Sequence, residues 1–290
     1  MSTTTTPDFQ IERLRWFIKE ELDAGGFELP VLPDVATKVQ ETARKPYSTA
    51  RQLAAMLKAD GTMAAHILKM ANSARYAGVE PVTTLDGAIA RLGSDMVVNV
   101  VIATAGKAMF KSEDPNLRRY LKERWCCSAF SAAGARHFAL RTDLKPDQAF
   151  LGGLMMWLGE PVLVTAAERL IRLGRIERPP ADEIVAAVGP LIPEAGAKLM
   201  ETWRLPEFLV AAVRHQGDFR TAPPEHIRHA ALLQVAGDLA RLISSRLVPS
   251  QIKEQMFTHP GVVLLAIDRE KLPATIMEVA SEGRELMKLL

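Results

Sequence analysis

Apolar residues recur every three or four positions along most of the chain, and strict alternation of apolar and polar residues is scarce. A spacing of three or four places side chains on one face of a helix, whereas a strand needs a period of two. The first such segment carries Ile11, Leu14 and Phe17 among charged residues and ends at Gly25-Gly26. The pattern therefore predicts an all-α protein.

Helix-capping residues divide the next part of the chain into short helices. Pro33 suits the first turn of a helix, because its missing N–H would have no partner there. Ser, Thr and Asp accept hydrogen bonds from the free amides at a helix start. Gly93 can adopt a positive φ at low cost and is expected to end a helix. The predicted N-caps beyond the helix of Pro33 are Ser48, Asp60, Thr83 and Ser94.

A polar stretch that contains a proline, residues 111–115, predicts a boundary. We expect a tail and an amphipathic helix over residues 1–24 and an N-terminal helical lobe over residues 25–112. A second helical lobe with further C-terminal helices is expected over residues 113–290, beginning with a long helix. Gly152-Gly153 follows no strand signal, so it is expected to allow close packing of helices.

The composition is that of a globular protein with a core, at 48% hydrophobic and 24% charged residues. A net charge of +2 demands neither nucleic acid nor an anionic membrane as partner. The two cysteines, Cys126 and Cys127, are adjacent and so are poorly placed for a disulfide with each other. Without a signal peptide or a sufficiently long apolar stretch, we expect a cytoplasmic protein with no membrane association.

Several separated motifs resemble those of the HDOD family, the HD-related output domains. The resemblance begins at residues 29–33 and becomes specific over residues 57–74 and 84–93, although the family usually has Asp-Pro where this chain has Asp60-Gly61. Residues 152–159 and 203–206 match the second lobe of the family. The resemblance implies an N-terminal helical lobe packed on a lobe with the HD-hydrolase fold. It also implies a bacterial signalling protein whose partners are receiver or cyclic-di-GMP-related proteins.

The resemblance also locates the metal site of HD hydrolases, which uses a first His, a His-Asp pair and a later Asp. The first His position falls near Cys127, the pair falls on Met156-Trp157, and the last Asp falls near Gly237, beside Asp238. Imidazole and carboxylate groups hold a cation that generates hydroxide from water. A thioether and an indole cannot replace them. We therefore expect a protein that is not an enzyme and has no cofactor.

Three histidines offer an alternative metal site. His226 and His229 are three residues apart and share a helical face, and His215 could join them if the fold allows. The competing interpretation is surface or capping histidines near the Pro223-Pro224 turn. In the family, a His-His pair often stands where this chain has His215-Gln216.

Two other features invite a binding role. Asn72-Ser73 could present polar groups to a ligand at a helix end, although a C-cap explains the pair as well. Residues 88–100 have the outline of a helix-turn-helix, but the second helix is apolar where a recognition helix needs Arg, Lys, Asn or Gln. Direct DNA binding is therefore not expected.

Three functions remain as hypotheses. The first is a non-catalytic signalling regulator of the HDOD type that acts by protein–protein contact. The second is a sensor that binds a nucleotide or another small molecule in the vestigial pocket. The third is a residual metal-dependent phosphohydrolase that uses the three histidines.

Overall fold

A computed structural model describes residues 7–25, 28–245 and 247–290, and throughout these ranges the chain is helical with no strand. The expected all-α fold is confirmed. Three short 3₁₀ turns lie at Gly189–Leu191, Phe219–Thr221 and Arg269–Lys271. The α-helices are α1 (Pro7–Asp23), α2 (Asp34–Ala43), α3 (Ala50–Leu57), α4 (Gly61–Ala71), α5 (Leu85–Leu92), α6 (Ser94–Lys107), α7 (Pro115–Ala139), α8 (Pro146–Met155), α9 (Gly159–Arg172), α10 (Ala181–Val188), α11 (Ile192–Thr202), α12 (Glu207–Arg214), α13 (Ile227–Ser244), α14 (Pro249–Phe257), α15 (Pro260–Leu264) and α16 (Leu272–Leu289).

Helices α2 to α6 pack on one another as the N-terminal lobe. Asp60 caps α4, as expected, because its carboxylate accepts from the amides of Thr62 and Met63. Gly93 has a φ of 81° and lets α6 leave α5 at an angle of 108°. Most of α6 is buried, which explains its apolar sequence.

Three predicted N-caps were wrong by one residue. Thr49, not Ser48, caps α3, and Thr84, not Thr83, caps α5. Gly93, not Ser94, occupies the N-cap position of α6. At the first two sites the cap needs extended backbone and an oxygen near the third amide of the helix, and neighbouring hydroxyl residues differ in neither property before folding. Gly93 has no side-chain oxygen, and α6 begins without a side-chain cap.

Helix α7 is the centre of the second lobe and packs against α8, α13 and α16. Asp114 caps it by accepting from two amides, and Pro115 fills the first turn, where a missing N–H is harmless. A Cβ on Gly153 of α8 would lie 2.4 Å from the carbonyl oxygen of Ser131 on α7. The predicted close packing at this glycine is therefore present.

The first and last helices both pack on the second lobe, and the last one also reaches the N-terminal lobe. Helix α1 lies on α9 and α10, where Arg15 donates to the carbonyls of Ala186 and Ala187. Helix α16 contacts α7 and also α4. Glu282 of α16 pairs with Arg75, just beyond α4, and lies 2.8 Å from Nε2 of His137 on α7.

The helical stretch Pro146–Arg172 is long and apolar enough to cross a membrane by length and composition alone. However, 94% of its most apolar window is buried inside the fold. Core packing therefore accounts for its apolar character.

Candidate functional site

The fold brings Met156, Trp157 and Gly237 into contact, and Cys127 lies close by. We call these four residues the Trp157 cluster. Met156 and Trp157 form the turn between α8 and α9 and are 2% and 4% exposed. A Cβ on Gly237 of α13 would lie 2.5 Å from Cε of Met156. The methionine side chain thus occupies the space that any larger residue at 237 would need.

The indole of Trp157 is held on its edge and over its face. Its Nε1 donates to Oγ of Ser131 at 2.9 Å, so the polar atom of a buried ring has a partner. The guanidinium carbons of Arg124 and Arg241 lie 5.6 Å and 5.3 Å from the ring centre. These distances allow cation–π attraction from α7 and α13 at once. The ring fills the cluster and its own donor is taken, while Nε of Arg124 beside it has no hydrogen-bond partner within the described ranges.

Cys127 lies on the α7 face that carries Arg124 and Ser131, three residues before it and four after it. Its Sγ is 3.4 Å from Oγ of Ser244. Burial raises the pKa of the Cys127 thiol, and Arg124 only partly opposes this. A neutral buried thiol is a poor metal ligand, because metals bind the thiolate.

Glu160 is a buried acid beside the cluster that the sequence analysis did not consider. It is 2% exposed, and its Oε2 lies 4.0 Å from Nε of Arg124. Burial raises the pKa of Glu160 to about 7, although Arg124, Tyr120 and Arg241 oppose the rise. An isolated acid in the apolar run from Leu154 to Val164 was the available signal for its burial.

Asp238 and His259 form a pair that the sequence analysis also missed. Nε2 of His259 lies 2.8 Å from Oδ2 of Asp238, and Nδ1 of the same ring accepts from the amide of Gly261 at 3.0 Å. Burial raises the pKa of Asp238, but His259 and Arg241 together outweigh it and leave this pKa below its ordinary value. The two residues are 21 positions apart, so no local spacing reveals the pair.

The three candidate histidines do not converge on one point. His215 and His226 line one cleft, and Nδ1 of His215 lies 2.8 Å from Oγ1 of Thr221. His229 packs instead on the ring of Phe208, with ring centres 4.7 Å apart. Burial, helped by the charge of His226, lowers the pKa of His229. Across the described ranges no three His, Cys, Asp or Glu side chains are placed to hold a metal ion, so these residues do not supply the metal site of the third hypothesis.

Asn72 and Ser73 are engaged within the N-terminal lobe. The amide of Asn72 donates to the carbonyl of Val82 and accepts from its N–H, both at 2.7 Å. The hydroxyl of Ser73 donates to the carbonyl of Met70 at 2.7 Å. Asn72 is the C-cap of α4 and fixes the loop that follows, which favours the structural interpretation of this pair.

Comparison with known proteins supports the family resemblance that the sequence motifs indicate. The sequence model of the HDOD domain matches residues 29–219. An uncharacterized protein of Treponema pallidum is 25% identical over 224 residues, which are 75% of this chain but 42% of that protein. This chain therefore spans less than half the length of that curated relative.

Solved structures share the fold. A protein of Shewanella amazonensis, provisionally named a metal-dependent phosphohydrolase, is 18% identical with a TM-score of 0.75, over 94% of this chain and 99% of the other. An HDOD domain protein of unknown function from Geobacter sulfurreducens is 20% identical with a TM-score of 0.69, over 95% and 99%. At such identities the likeness concerns the fold alone. Because the domain model matches well over half of its length, the chain belongs to the HDOD domain family.

Proposed function

We propose that this protein is a non-catalytic signalling regulator that acts through protein–protein contact. The observation that carries the proposal is the filled Trp157 cluster. Where the family resemblance locates the His-Asp pair, Met156 and Trp157 are buried, packed and hydrogen-bonded. Metal-assisted hydrolysis needs ligands and an open coordination position, and this cluster offers neither.

The same packing argues against a sensor that binds its ligand in this cluster. A ligand would have to displace the Trp157 ring, break its hydrogen bond to Ser131 and separate it from two arginines. Removing a buried aromatic side chain from a core costs about 3–5 kcal/mol. A nucleotide would need to recover that free energy before it gained any net affinity.

The resemblance supports receiver or cyclic-di-GMP-related proteins as partners, and helix α1 supplies a surface for such contact. Phe9 and Trp16 are 58% and 54% exposed although they are large and apolar. They are seven residues apart, so they lie on one face, opposite the buried face that carries Leu14 and Ile18. Exposed aromatic residues of this kind are frequent anchors of protein interfaces.

Binding to purified candidates tests the proposal. The probes are a phosphorylated receiver protein and a cyclic-di-GMP synthase from the same genome, measured by calorimetry. We expect one of them to bind, and we expect Trp16→Ala to weaken that binding by about tenfold, the usual scale for an aromatic anchor. The matched control is Met277→Ala, which removes an equally exposed apolar side chain from α16.

A parallel assay addresses catalysis. Phosphomonoester, phosphodiester and nucleotide hydrolysis is followed with added manganese or nickel, and no metal-dependent turnover is expected. Turnover that His215→Ala or His226→Ala abolishes would replace the proposal with the hydrolase hypothesis. Absence of binding to both probes, or equal weakening by Met277→Ala, would count against the proposed contact through α1.

A further inference from the structure

A groove of about 230 Å³ lies at the junction of the two lobes. We call it the junction groove. Its walls come from α2 and α6 of the N-terminal lobe and from α8, α12 and the link before α12 in the second lobe. Junctions between lobes are common positions for small-molecule sites. The apolar part of the lining consists of Ala43, Val98, Ile102, Leu151, Leu205, Pro206 and Leu209.

Two buried amides line the groove and are only half satisfied by the protein. Gln40 and Asn99 are each 5% exposed. Nε2 of Gln40 donates to the carbonyl of Trp203 at 3.2 Å, and Nδ2 of Asn99 donates to the carbonyl of Asp147 at 2.8 Å. Both bonds cross between the lobes and fix the amide orientation. Within the described ranges, no protein donor pairs with the two side-chain oxygens, which remain as acceptors beside the groove.

Carboxylates add negative charge to the groove. Asp95 lies in the first turn of α6 and Asp147 in the first turn of α8. Burial raises the pKa of Asp147, and the nearby charge of Asp95 raises it further. The nearest cation to Asp147, Nε of Arg136, is 3.8 Å away, which is beyond hydrogen-bond distance. The groove thus contains two like charges: Asp147 has a loose ion pair with Arg136, and within the described ranges no ion pair reaches Asp95.

Arg44 is the cationic residue of the lining, and one nitrogen of its guanidinium, Nη2, is engaged outside the groove. It donates to the carbonyl of Arg204, on the link that precedes α12. The lining offers two carboxylates and two amide oxygens as acceptors, and the less buried side chains of Arg44 and Gln148 supply its donors. A ligand that pairs with these acceptors must bring several donors, and positive charge suits the two carboxylates.

We infer that the junction groove binds a small organic cation, a primary ammonium group on a compact apolar body. An ammonium group supplies three donors, which match the carboxylates and amide oxygens, and the aliphatic walls take the apolar body. The volume is below the range of about 300–1,000 Å³ typical of drug-sized ligands, so the body is small. The site is separate from the Trp157 cluster and does not depend on the proposed function.

Binding of phenethylamine tests this inference. Its neutral and anionic counterparts, 2-phenylethanol and 3-phenylpropanoate, have similar bodies without the ammonium group. Calorimetry should show saturable binding of the amine and none of the two counterparts. Asp95→Asn should weaken amine binding by about tenfold, the scale of a charge-assisted hydrogen bond. The matched control is Asp86→Asn, because Asp86 is also exposed in the first turn of a helix but lies outside the groove lining.

A second variant keeps all charges and fills the space. Ala43→Leu should abolish amine binding, and NMR shifts caused by the amine should cluster in α2, α6 and α8. Equal binding of the alcohol, unchanged binding by Asp95→Asn, or shifts confined to other helices would overturn the inference. Circular dichroism of each variant verifies that a loss of binding is not a loss of fold.

Discussion

The Trp157 cluster and the junction groove differ in how far the side chains of the protein fill them. In the cluster, the indole of Trp157 fills the space and its only polar atom donates to Ser131. In the groove, Gln40 and Asn99 are equally buried, yet each keeps an oxygen that no protein donor reaches within the described ranges. The Trp157 ring is fully packed, although Nε of Arg124 and Oε2 of Glu160 beside it have no hydrogen-bond partner within the described ranges, whereas the groove keeps open space.

The difference indicates that a ligand site is more easily kept between the two lobes than in the core of one lobe. Side chains can fill a reaction centre completely, because protein cores are close-packed and voids in them are unfavourable. A junction between lobes is harder to close, since two rigid bodies must match along their whole contact. The buried polar groups there are satisfied on one side only, which leaves chemistry available to a ligand.

The largest effect is expected when the indole of Trp157 is removed. Trp157→Ala should lower the free energy of unfolding by about 3–5 kcal/mol, because it deletes a buried aromatic side chain and orphans Ser131. Urea denaturation measures the change. Trp16→Ala, which removes an exposed ring, should cost less than about 1 kcal/mol. Similar costs for both variants would mean that the cluster is not closed.

The pH dependence of the free energy of unfolding tests how well water is excluded beside the Trp157 cluster, because Glu160 is buried there. Its pKa rises from 4.5 to about 7 on folding. Folding then favours the protonated acid, so this stabilisation is present below pH 4.5 and is lost as the pH rises through about 7. The full difference corresponds to about 3 kcal/mol.

Glu160→Gln, which stays neutral, isolates this contribution. Its stability relative to the wild type should increase by about 2–3 kcal/mol between pH 5 and pH 8. Denaturant titrations at the two pH values measure the increase. Glu80→Gln, at an exposed position, should show no such trend. If the stability difference between Glu160→Gln and the wild type is the same at pH 5 and pH 8, the buried acid is ionised at low cost and water reaches it.

The crossing of α7 and α8 gives a third test. A Cβ at Gly153 would meet the backbone of Ser131, and the shift would also disturb the hydroxyl that holds Trp157. Gly153→Ala should cost about 1–3 kcal/mol, as overpacking does. At Gly152 the nearest atoms are the ends of the Leu209 and Leu233 side chains, which can move. Thermal unfolding should therefore show a smaller loss for Gly152→Ala, and the reverse order would contradict the packing described.

The smallest effect is expected in the junction groove. Asp95→Asn should change the free energy of unfolding by less than about 1 kcal/mol, the scale of a charge in the first turn of a helix. Paired denaturation curves with Asp86→Asn provide the measurement and its reference. A large loss for Asp95→Asn alone would show that this carboxylate is structural and would remove it as a determinant of binding.

Helical periodicity and motifs were enough to predict the all-α fold, the family and the close packing at Gly153. N-caps were less predictable, because Ser48 and Thr49 carry the same functional group and only backbone geometry selects between them. The long helix beyond residue 115 was easier, since Asp114 and Pro115 give two independent start signals.

The surroundings of the Trp157 cluster could be predicted only in part. The resemblance located Met156, Trp157 and Gly237, and the structure brings them together. Ser131 and Arg241 complete the cluster from α7 and α13, and no spacing in the sequence connects those helices. The same holds for the junction groove, whose residues come from four separate segments of the chain.

The bond between His259 and Asp238 has a consequence for the ring itself. Because Nδ1 accepts from the amide of Gly261, the neutral imidazole must carry its hydrogen on Nε2, the atom that faces the aspartate. Both ring nitrogens of the neutral imidazole therefore have a hydrogen-bond partner. A histidine and an aspartate do meet in this chain, and their hydrogen bond joins α13 to the start of α15.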